Sequence, residues 1–327
     1  MNLFKNTNFD FLRWKWHAIV LSALVILGGI AAMAATGGLP LGIDFSGGTI
    51  LIVQFEQRIS DGVVRDAIAG LPGEEVVQGY GDPADNQMLI RLPQSGPEEG
   101  TSLEEGAKAV VAALEQANVG KLTVIGQELV GPVIGRELQQ RGINAFIFAM
   151  AGILVYIGVR FRFSFAVGAI IATAHDILVT LAFLVFFGYE LSLNVIAAML
   201  TITGYSVNDT IVIFDRVREN LRFMRRDKLE NLVNTSINQT LGRTVITAGT
   251  TFLAVLALYV FGGEVLRGFA FTMLVGIVSG TYSTVFIAAP IALLISERRT
   301  ARRAEAVPAQ AAAGPRSKQQ KRKARAS

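Results

Sequence analysis

The sequence predicts a polytopic α-helical membrane protein with six transmembrane helices and one small α+β domain of ferredoxin-like topology between helices 1 and 2. Of its 327 residues, 51% are hydrophobic and only 17% are charged, a balance typical of integral membrane proteins. Several uncharged apolar runs reach about 20 residues, the length that spans a bilayer. Between the first two runs, about 100 residues alternate or form amphipathic patterns instead, which is enough for one soluble domain.

The composition also argues against several kinds of chemistry. The chain has no cysteine, which excludes disulfides, Cys-ligated metals and a thiol nucleophile. Its two histidines, His17 and His175, are too few for a histidine-built metal site. No phosphate loop, zinc-binding helix or nucleophile elbow is present in the sequence. We therefore predict no metal or organic cofactor and no enzymatic activity.

The first apolar run, residues 17–36, is predicted as the first transmembrane helix after a cytoplasmic N-terminus at 1–16. Ala32-Met33-Ala34 resembles a signal-peptide cleavage site. The run is longer than the roughly 7 to 15 residues of an ordinary signal-peptide core, and further spans follow it. Retention as a membrane helix is therefore favoured over cleavage.

The segment 41–141 is predicted as a compact extracytoplasmic domain. It holds 15 Asp or Glu against 7 Lys or Arg. Alternating stretches predict strands and amphipathic stretches predict helices. In chain order these are strand 48–55, helix 60–69, strand 75–79, strand 86–92, helix 102–116 and strand 121–129. The order βαββαβ is that of a ferredoxin-like sheet with its helices on one face.

The remaining spans and the segments between them follow from the hydropathy pattern. The predicted helices 2 to 6 cover residues 143–159, 165–187, 191–214, 244–261 and 268–295. A polar cytoplasmic loop is predicted at 215–243. The tail 296–327 is basic and poor in large apolar residues, so we expect it to be disordered. Anchoring to anionic lipid is the favoured interpretation of the tail, with a ribosome, RNA or protein contact as the alternative.

Lysine and arginine are distributed unequally between the two ends of the predicted helices. The segment before helix 1 carries three, residues 160–162 carry two, residues 216–228 carry six and the tail carries ten. The opposite side has none between helices 3 and 4 and only Arg267 between helices 5 and 6. Basic residues favour the cytoplasmic side. Both termini are therefore predicted to be cytoplasmic, and the domain 41–141 lies on the opposite side of the membrane.

Ionisable residues within the predicted spans are the candidate functional residues, because charge in hydrocarbon is costly and usually has a role. They are His175, Asp176, Asp209 and Arg243. Asp209 and Arg243 approach the same end of adjacent antiparallel helices, so an ion pair is expected. Such a pair either responds to proton uptake or only pins the two helices together.

The polar residues near these positions are open to two interpretations. Asn208, Thr210 and Thr247 either line a water path or hold helices together by hydrogen bonds. His175 and Asp176 are either a second protonatable station or a buried structural pair. Aspartates on successive helices also occur in intramembrane aspartyl proteases, but the expected Tyr-Asp and Gly-x-Gly-Asp motifs are absent here.

Four motifs together resemble those of the SecD/SecF family of protein-export membrane subunits. They are Gly-Ile-Asp-Phe-Ser-Gly-Gly-Thr at 42–49, Val-Gly-Pro-Val-Ile-Gly at 130–135, His-Asp at 175–176 and the stretch 207–220. The resemblance covers roughly residues 10 to 297 in the same order. It implies one half of an RND-type membrane unit, with SecD as the other half.

The resemblance further implies a role beside the SecYEG channel, with YajC as a further candidate partner, in which the proton-motive force drives translocation of a preprotein. The family's essential Asp and Arg correspond to Asp209 and Arg243, and protons would be the coupling ion. No nucleic-acid partner is implied. The alternatives are a structural scaffold without proton coupling and a standalone RND-type exporter of small molecules.

Two glycine-containing connectors join the predicted domain to the membrane helices. We expect them either to act as hinges or to allow close backbone packing. The connector residues are Gly42, Asp44, Gly47, Gly48, Gly131 and Gly135. Asp44 is expected to be a turn or cap residue rather than an ion site.

Overall fold

The structure is a computed structural model that describes residues 7–71, 76–92, 101–161, 163–224 and 227–298. Its main helices and strands are α1 (Lys15–Ala35), α2 (Ile43–Ser46), β1 (Gly48–Phe55), α3 (Asp61–Ile68), β2 (Val76–Tyr80), β3 (Gln87–Leu92), α4 (Thr101–Gln116), β4 (Leu122–Val130), α5 (Pro132–Arg160), α6 (Phe163–Phe187), α7 (Leu193–Phe223), α8 (Leu229–Phe261) and α9 (Gly263–Ser283). A π-helical turn, Thr284–Ala288, follows α9, and the helix then continues to residue 298.

Six of the described helices are long and apolar enough to cross a membrane: α1, α5, α6, α7, α8, and α9 with its continuation. The predicted fold class is confirmed, because the sheet domain lies between α1 and α5. The polar segment 215–243 differs from the expected loop. Helix α7 continues to Phe223 and α8 begins at Leu229, so both helices extend beyond their apolar runs.

Side-chain hydrogen bonds hold these two helix extensions together. Asn220 Nδ2 donates to Ser236 Oγ and to Gln239 Oε1, each at 2.9 Å, and Arg216 Nε donates to Gln239 Oε1 at 2.6 Å. Polar residues with good helix propensity can continue a helix wherever such partners exist. The predicted disordered tail begins at 296, but residues 296–298 are helical and 299–327 lie outside the described residues.

The α+β domain has a four-stranded antiparallel sheet with strand order β2-β3-β1-β4. Alternate residues of β1 point to the core, where Leu51 and Val53 are fully buried. Val64 of α3 and Val110 of α4 pack on the same core. Every second strand residue and one apolar face of each helix are buried in a shared core. This pattern produces the predicted ferredoxin-like arrangement.

The two connectors meet where the domain joins the membrane helices. Gly47 and Gly48 have φ angles of 71° and 134°, a region that favours glycine. Gly135 lies inside α5 rather than in a flexible connector, because α5 begins at Pro132. A Cβ at Gly135 would lie 3.2 Å from the Phe45 carbonyl oxygen. At Gly135 the structure therefore favours close packing over a hinge.

Small residues allow the membrane helices to approach one another closely. A Cβ on Gly29 of α1 would lie 2.3 Å from Ala182 Cβ of α6. A Cβ on Gly168 of α6 would lie 2.6 Å from the Ala288 carbonyl oxygen in the π-helical turn. Such contacts gain dispersion energy at places where larger side chains would separate the helices.

Adjacent glycines on α1 provide a test of this packing. Gly29→Ala is expected to lower the thermal unfolding temperature in detergent, because overpacking costs about 1 to 3 kcal/mol. Gly28→Ala is the matched control, since its Cβ would meet only the end of the Phe186 ring at 3.4 Å. Both changes carry the same gain in helix propensity. Equal unfolding temperatures for the two variants would contradict the described contact.

Candidate functional site

Asp176 of α6 is buried at the centre of the helix bundle and accepts hydrogen bonds on both oxygens. The residue is 1% exposed. Ser206 and Ser283 donate to Oδ2 at 2.6 and 2.8 Å. Ser279 donates to Oδ1 at 2.7 Å, and His175 Nδ1 lies 3.2 Å from the same oxygen. This one carboxylate therefore connects α6 to α7 and α9.

His175 uses one ring nitrogen in that network and leaves the other without a partner. Because Nδ1 faces a carboxylate oxygen, Nδ1 is assigned as the donor and Nε2 carries the lone pair. Nε2 is buried and has no hydrogen-bond partner. His175 also lines an apolar crevice of about 400 Å³ between α1, α6, α8 and α9. Its contacts place it with Asp176 in a structural network.

Asp209 of α7 is also buried, at 9% exposure, but its two oxygens differ. Oδ1 accepts a hydrogen bond from Thr244 Oγ1 of α8 at 2.7 Å. Oδ2 is buried without a partner. An unsatisfied carboxylate oxygen in a low-dielectric interior is costly. Asp209 is therefore the less stabilised of the two buried carboxylates.

The expected ion pair between Asp209 and Arg243 is not formed. Among the described residues, no Arg243 nitrogen lies within 4.0 Å of an Asp209 oxygen, although Arg243 is near enough for electrostatic attraction. Successive helix residues are about 100° apart. Thr244 is buried against α7, so Arg243, the preceding residue, is turned to the exposed surface. The sequence identified the correct helix turn, and the side chain that contacts Asp209 there is Thr244.

The polar neighbours identified from the sequence have different surroundings. Thr210 Oγ1 lies 3.0 Å from Thr284 Oγ1 in the π-helical turn, which is a contact between buried hydroxyls. Thr247 donates to the Arg243 carbonyl oxygen of its own helix at 2.9 Å. Asn208 is exposed. Thr210 and Thr247 therefore both take part in contacts between helices, the latter with α7.

Three important residues on the last helix were missed by the sequence analysis. They are Ser279, Ser283 and Thr284. Ser279 and Ser283 lie one turn apart and both face Asp176, whereas Thr284 contacts Thr210. The only sequence signal is that Ser279 and Ser283 are four residues apart in an apolar run, which places both hydroxyls on one face of a helix. Hydroxyl residues occur in several spans, so that signal does not select them.

The connector residue Asp44 takes the cap role that was expected for it. Its Oδ2 accepts the backbone N–H of Leu193, the first residue of α7, at 2.9 Å. Nearby, Glu190 forms an ion pair with Arg91 of β3. Burial raises the pKa of the Glu190 carboxyl above its ordinary value, and Arg91 opposes that rise. This contact joins the α+β domain to the membrane helices.

A stripe of exposed polar or small residues runs along α7 and α8 within their membrane-spanning length. We call it the α7–α8 polar stripe. Its members are Thr201, Gly204, Asn208, Arg243, Thr247 and Thr250. Polar and charged residues in membrane helices almost always face other protein or water rather than lipid. The stripe is therefore unusual for a surface that faces lipid.

These features define a multi-pass membrane protein whose helix bundle encloses two carboxylates and carries a ferredoxin-like domain after its first span. The chain belongs to the SecD/SecF family of protein-export membrane proteins. Residues 109–298 match the model described as protein export membrane protein SecD/SecF, C-terminal. Residues 33–57 match the model of the SecD/SecF GG motif. The resemblance drawn from the motifs is confirmed.

Individual relatives agree with this assignment. Protein translocase subunit SecF of Calditerrivibrio nitroreducens is 40% identical over 305 residues, covering 91% of this chain and 98% of that protein. Its counterpart in Escherichia coli O157:H7 is 38% identical over 292 residues, covering 89% of each chain. The crystal structure of SecDF, a translocon-associated membrane protein from Thermus thermophilus, matches with a TM-score of 0.78 and 34% identity. This chain is 91% covered in that match but spans 40% of the SecDF chain.

The two buried carboxylates are expected to respond oppositely to the same substitution. Asp176→Asn forces an amide NH₂ group against hydroxyl donors, so we expect a loss of about 1 to 3 kcal/mol of stability. Asp209→Asn keeps the Thr244 contact and removes an unsatisfied charge, so its stability should equal or exceed that of the wild type. Thermal unfolding of both variants in the same detergent measures the difference. Destabilisation by Asp209→Asn alone would contradict the described hydrogen bonding.

Proposed function

We propose that this chain is an accessory subunit of the Sec protein translocase that works with a SecD-type subunit. In this proposal, the two subunits use the proton-motive force to complete translocation of a preprotein across the cytoplasmic membrane. The work is conformational and involves no covalent chemistry. The family membership supports the export role, and the site geometry supports the proton coupling.

The single observation that carries the proton coupling is the unpartnered Oδ2 of Asp209. When Asp209 is ionised, this buried oxygen bears negative charge without a hydrogen bond. A proton arriving at Oδ2 removes that cost without breaking the Thr244 bond on Oδ1. Asp176 lacks this property, because both of its oxygens already accept hydrogen bonds. Asp209 is therefore the carboxylate that binds and releases the proton.

Arg243 attracts Asp209 electrostatically from the exposed surface. Neutralising Asp209 weakens that attraction, which allows α7 and α8 to change their packing. Two discrete packings of these helices are what a proton-driven movement requires. In this scheme, Arg243 is a second coupling residue that acts through charge without an ion pair.

The α7–α8 polar stripe supports the need for a second membrane subunit. Six helices leave the stripe uncovered, and the matched SecDF chain is longer than this one. A SecD-type subunit seated on the stripe would bury it beside Asp209 and could add a further polar group there. The polar stripe also argues against a chain that works alone, such as a standalone exporter.

The proposed orientation places both termini in the cytoplasm and the α+β domain outside, in the inner membrane of a bacterium. It follows from the excess of Lys and Arg at the cytoplasmic helix ends. SecYEG and the emerging preprotein are then the neighbours proposed for the domain. YajC and anionic lipid are further proposed contacts.

Replacement of Asp209 tests the proposal in cells whose only copy is the variant. Asp209→Asn should abolish export that depends on the proton-motive force, because the neutral amide cannot exchange a proton. Arg243→Met should have the same effect. Export is measured with and without an uncoupler, together with membrane abundance and co-purification of the SecD-type subunit.

Asp215→Asn is the matched control, because it makes the same change on the same helix. Asp215 is 42% exposed and pairs with Arg160 at 3.0 Å, away from the buried site. It should retain coupled export. Normal coupled export by Asp209→Asn would refute the proton site. Loss of export in proportion to a fall in complex abundance would instead support the scaffold role.

A further inference from the structure

The residues just before α7 are bonded directly to the connector that leads into the α+β domain. Leu191 N–H donates to the Pro40 carbonyl oxygen at 2.7 Å, and Gly42 N–H donates to the Leu191 carbonyl oxygen at 2.8 Å. Leu41 and Leu191 form a parallel bridge between these segments. The start of α7 and the connector therefore behave as a small two-stranded unit.

Asp44 adds a hydrogen bond from the next turn of the connector. Its carboxylate accepts the Leu193 N–H, one of the four N–H groups that an α-helix leaves unpaired at its start. A negative charge is also favourable at this end of the helix dipole. This contact fixes α2 to the N-terminus of α7 while α2 leads directly into β1.

Arg91 and Glu190 connect the middle of the sheet to the same place. Arg91 lies on β3, opposite Ile50 of the neighbouring strand β1. Its Nη1 contacts Glu190 and lies 3.5 Å from the Leu41 carbonyl oxygen. The Arg91 and Glu190 side chains are 17% and 36% exposed, so bulk salt screens this pair less than a surface pair.

Helix α7 carries these junction contacts at one end and the proposed proton site further along. Asp209 follows Leu193 by about 24 Å of helix rise. A packed helix transmits a displacement along its axis as a rigid element. A change in packing at Asp209 would therefore reach the residues that hold the domain.

We propose that Arg91 and Glu190, together with the Asp44 cap, form a clamp that positions the α+β domain on α7 and transmits movement of that helix to the domain. This inference rests on the proposed function, since it names the residues through which the same proton site would act. It assigns positioning roles to Arg91 and Glu190, which lie outside the motifs that identified the family. The GG-motif connector then acts as the fixed contact of the domain with α7.

Charge exchange tests the clamp. Glu190→Arg places two cations together and Arg91→Glu places two carboxylates together, so each should lower coupled export severalfold at normal abundance. The double variant Arg91→Glu/Glu190→Arg should recover a large part of it. Glu56→Arg is the control, because Glu56 pairs with Lys121 only at an exposed surface, at 3.9 Å. Normal export by both single variants would overturn the clamp.

A disulfide reporter measures the coupling itself. The chain has no cysteine, so Leu41→Cys/Leu191→Cys introduces the only pair. The two positions are bridged as in neighbouring strands, an arrangement that brings Cα atoms within the range of a disulfide. We expect the disulfide to form severalfold more slowly when Glu190→Arg is added. We also expect Asp209→Asn to change the rate when the clamp is intact but not in the Glu190→Arg background.

The two experiments separate failure of the clamp from failure of the proposed function. If Asp209→Asn stops coupled export while its disulfide rate equals that of the wild type, the proton site stands and the clamp is refuted. If Asp209→Asn exports normally, the proposed function fails. In that case, a change in the disulfide rate caused by Glu190→Arg would show that the clamp is a structural contact. Its role in coupling would be refuted.

Discussion

The cost of placing ionised carboxylates among apolar helices determines how this bundle is arranged. Asp176 meets that cost with four contacts drawn from its own helix, α7 and α9. These contacts require the serines of two other helices to face inward at one level. The close approaches at glycines follow, because hydroxyl groups reach a carboxylate only when the helices are close together. Asp209 accepts a single hydrogen bond, so one of its oxygens has no partner, whereas both oxygens of Asp176 have one.

Helix α7 is common to every part of the molecule that matters for the proposed mechanism. It supplies Ser206 to the Asp176 network, carries Asp209 itself and presents half of the α7–α8 polar stripe. Its N-terminus is bonded to the connector, and its C-terminal extension pairs with α8 through Asn220. A subunit that covers the stripe, a proton at Asp209 and a load on the domain would all act on one helix. No separate route between these sites is needed.

Much of the fold and of the candidate site could be predicted from the sequence. The parts that could not be predicted each have a physical reason. Apolar runs and period-2 patterns locate the spans and the sheet because burial dominates both. The charges at Asp176 and Asp209 stand out because they are rare in such runs. The choice between Arg243 and Thr244 depends on a rotation of about 100°, which hydropathy does not fix. Arg91 and Glu190 meet only because the tertiary fold brings a strand to a helix start.

The π-helical turn at Thr284–Ala288 holds one residue more per turn than an α-helix would. It begins where Ser283 bonds Asp176 and Thr284 meets Thr210, so two neighbouring hydroxyls serve two different contacts on α6 and α7. Relaxing that turn to α geometry would shift the register by one residue and rotate everything beyond it by about 100°. The last helix therefore contains a step of fixed size between its contact with Asp176 and its contact with Thr210. A repacking of the bundle that relaxed this turn would therefore proceed by a whole residue rather than by gradual bending.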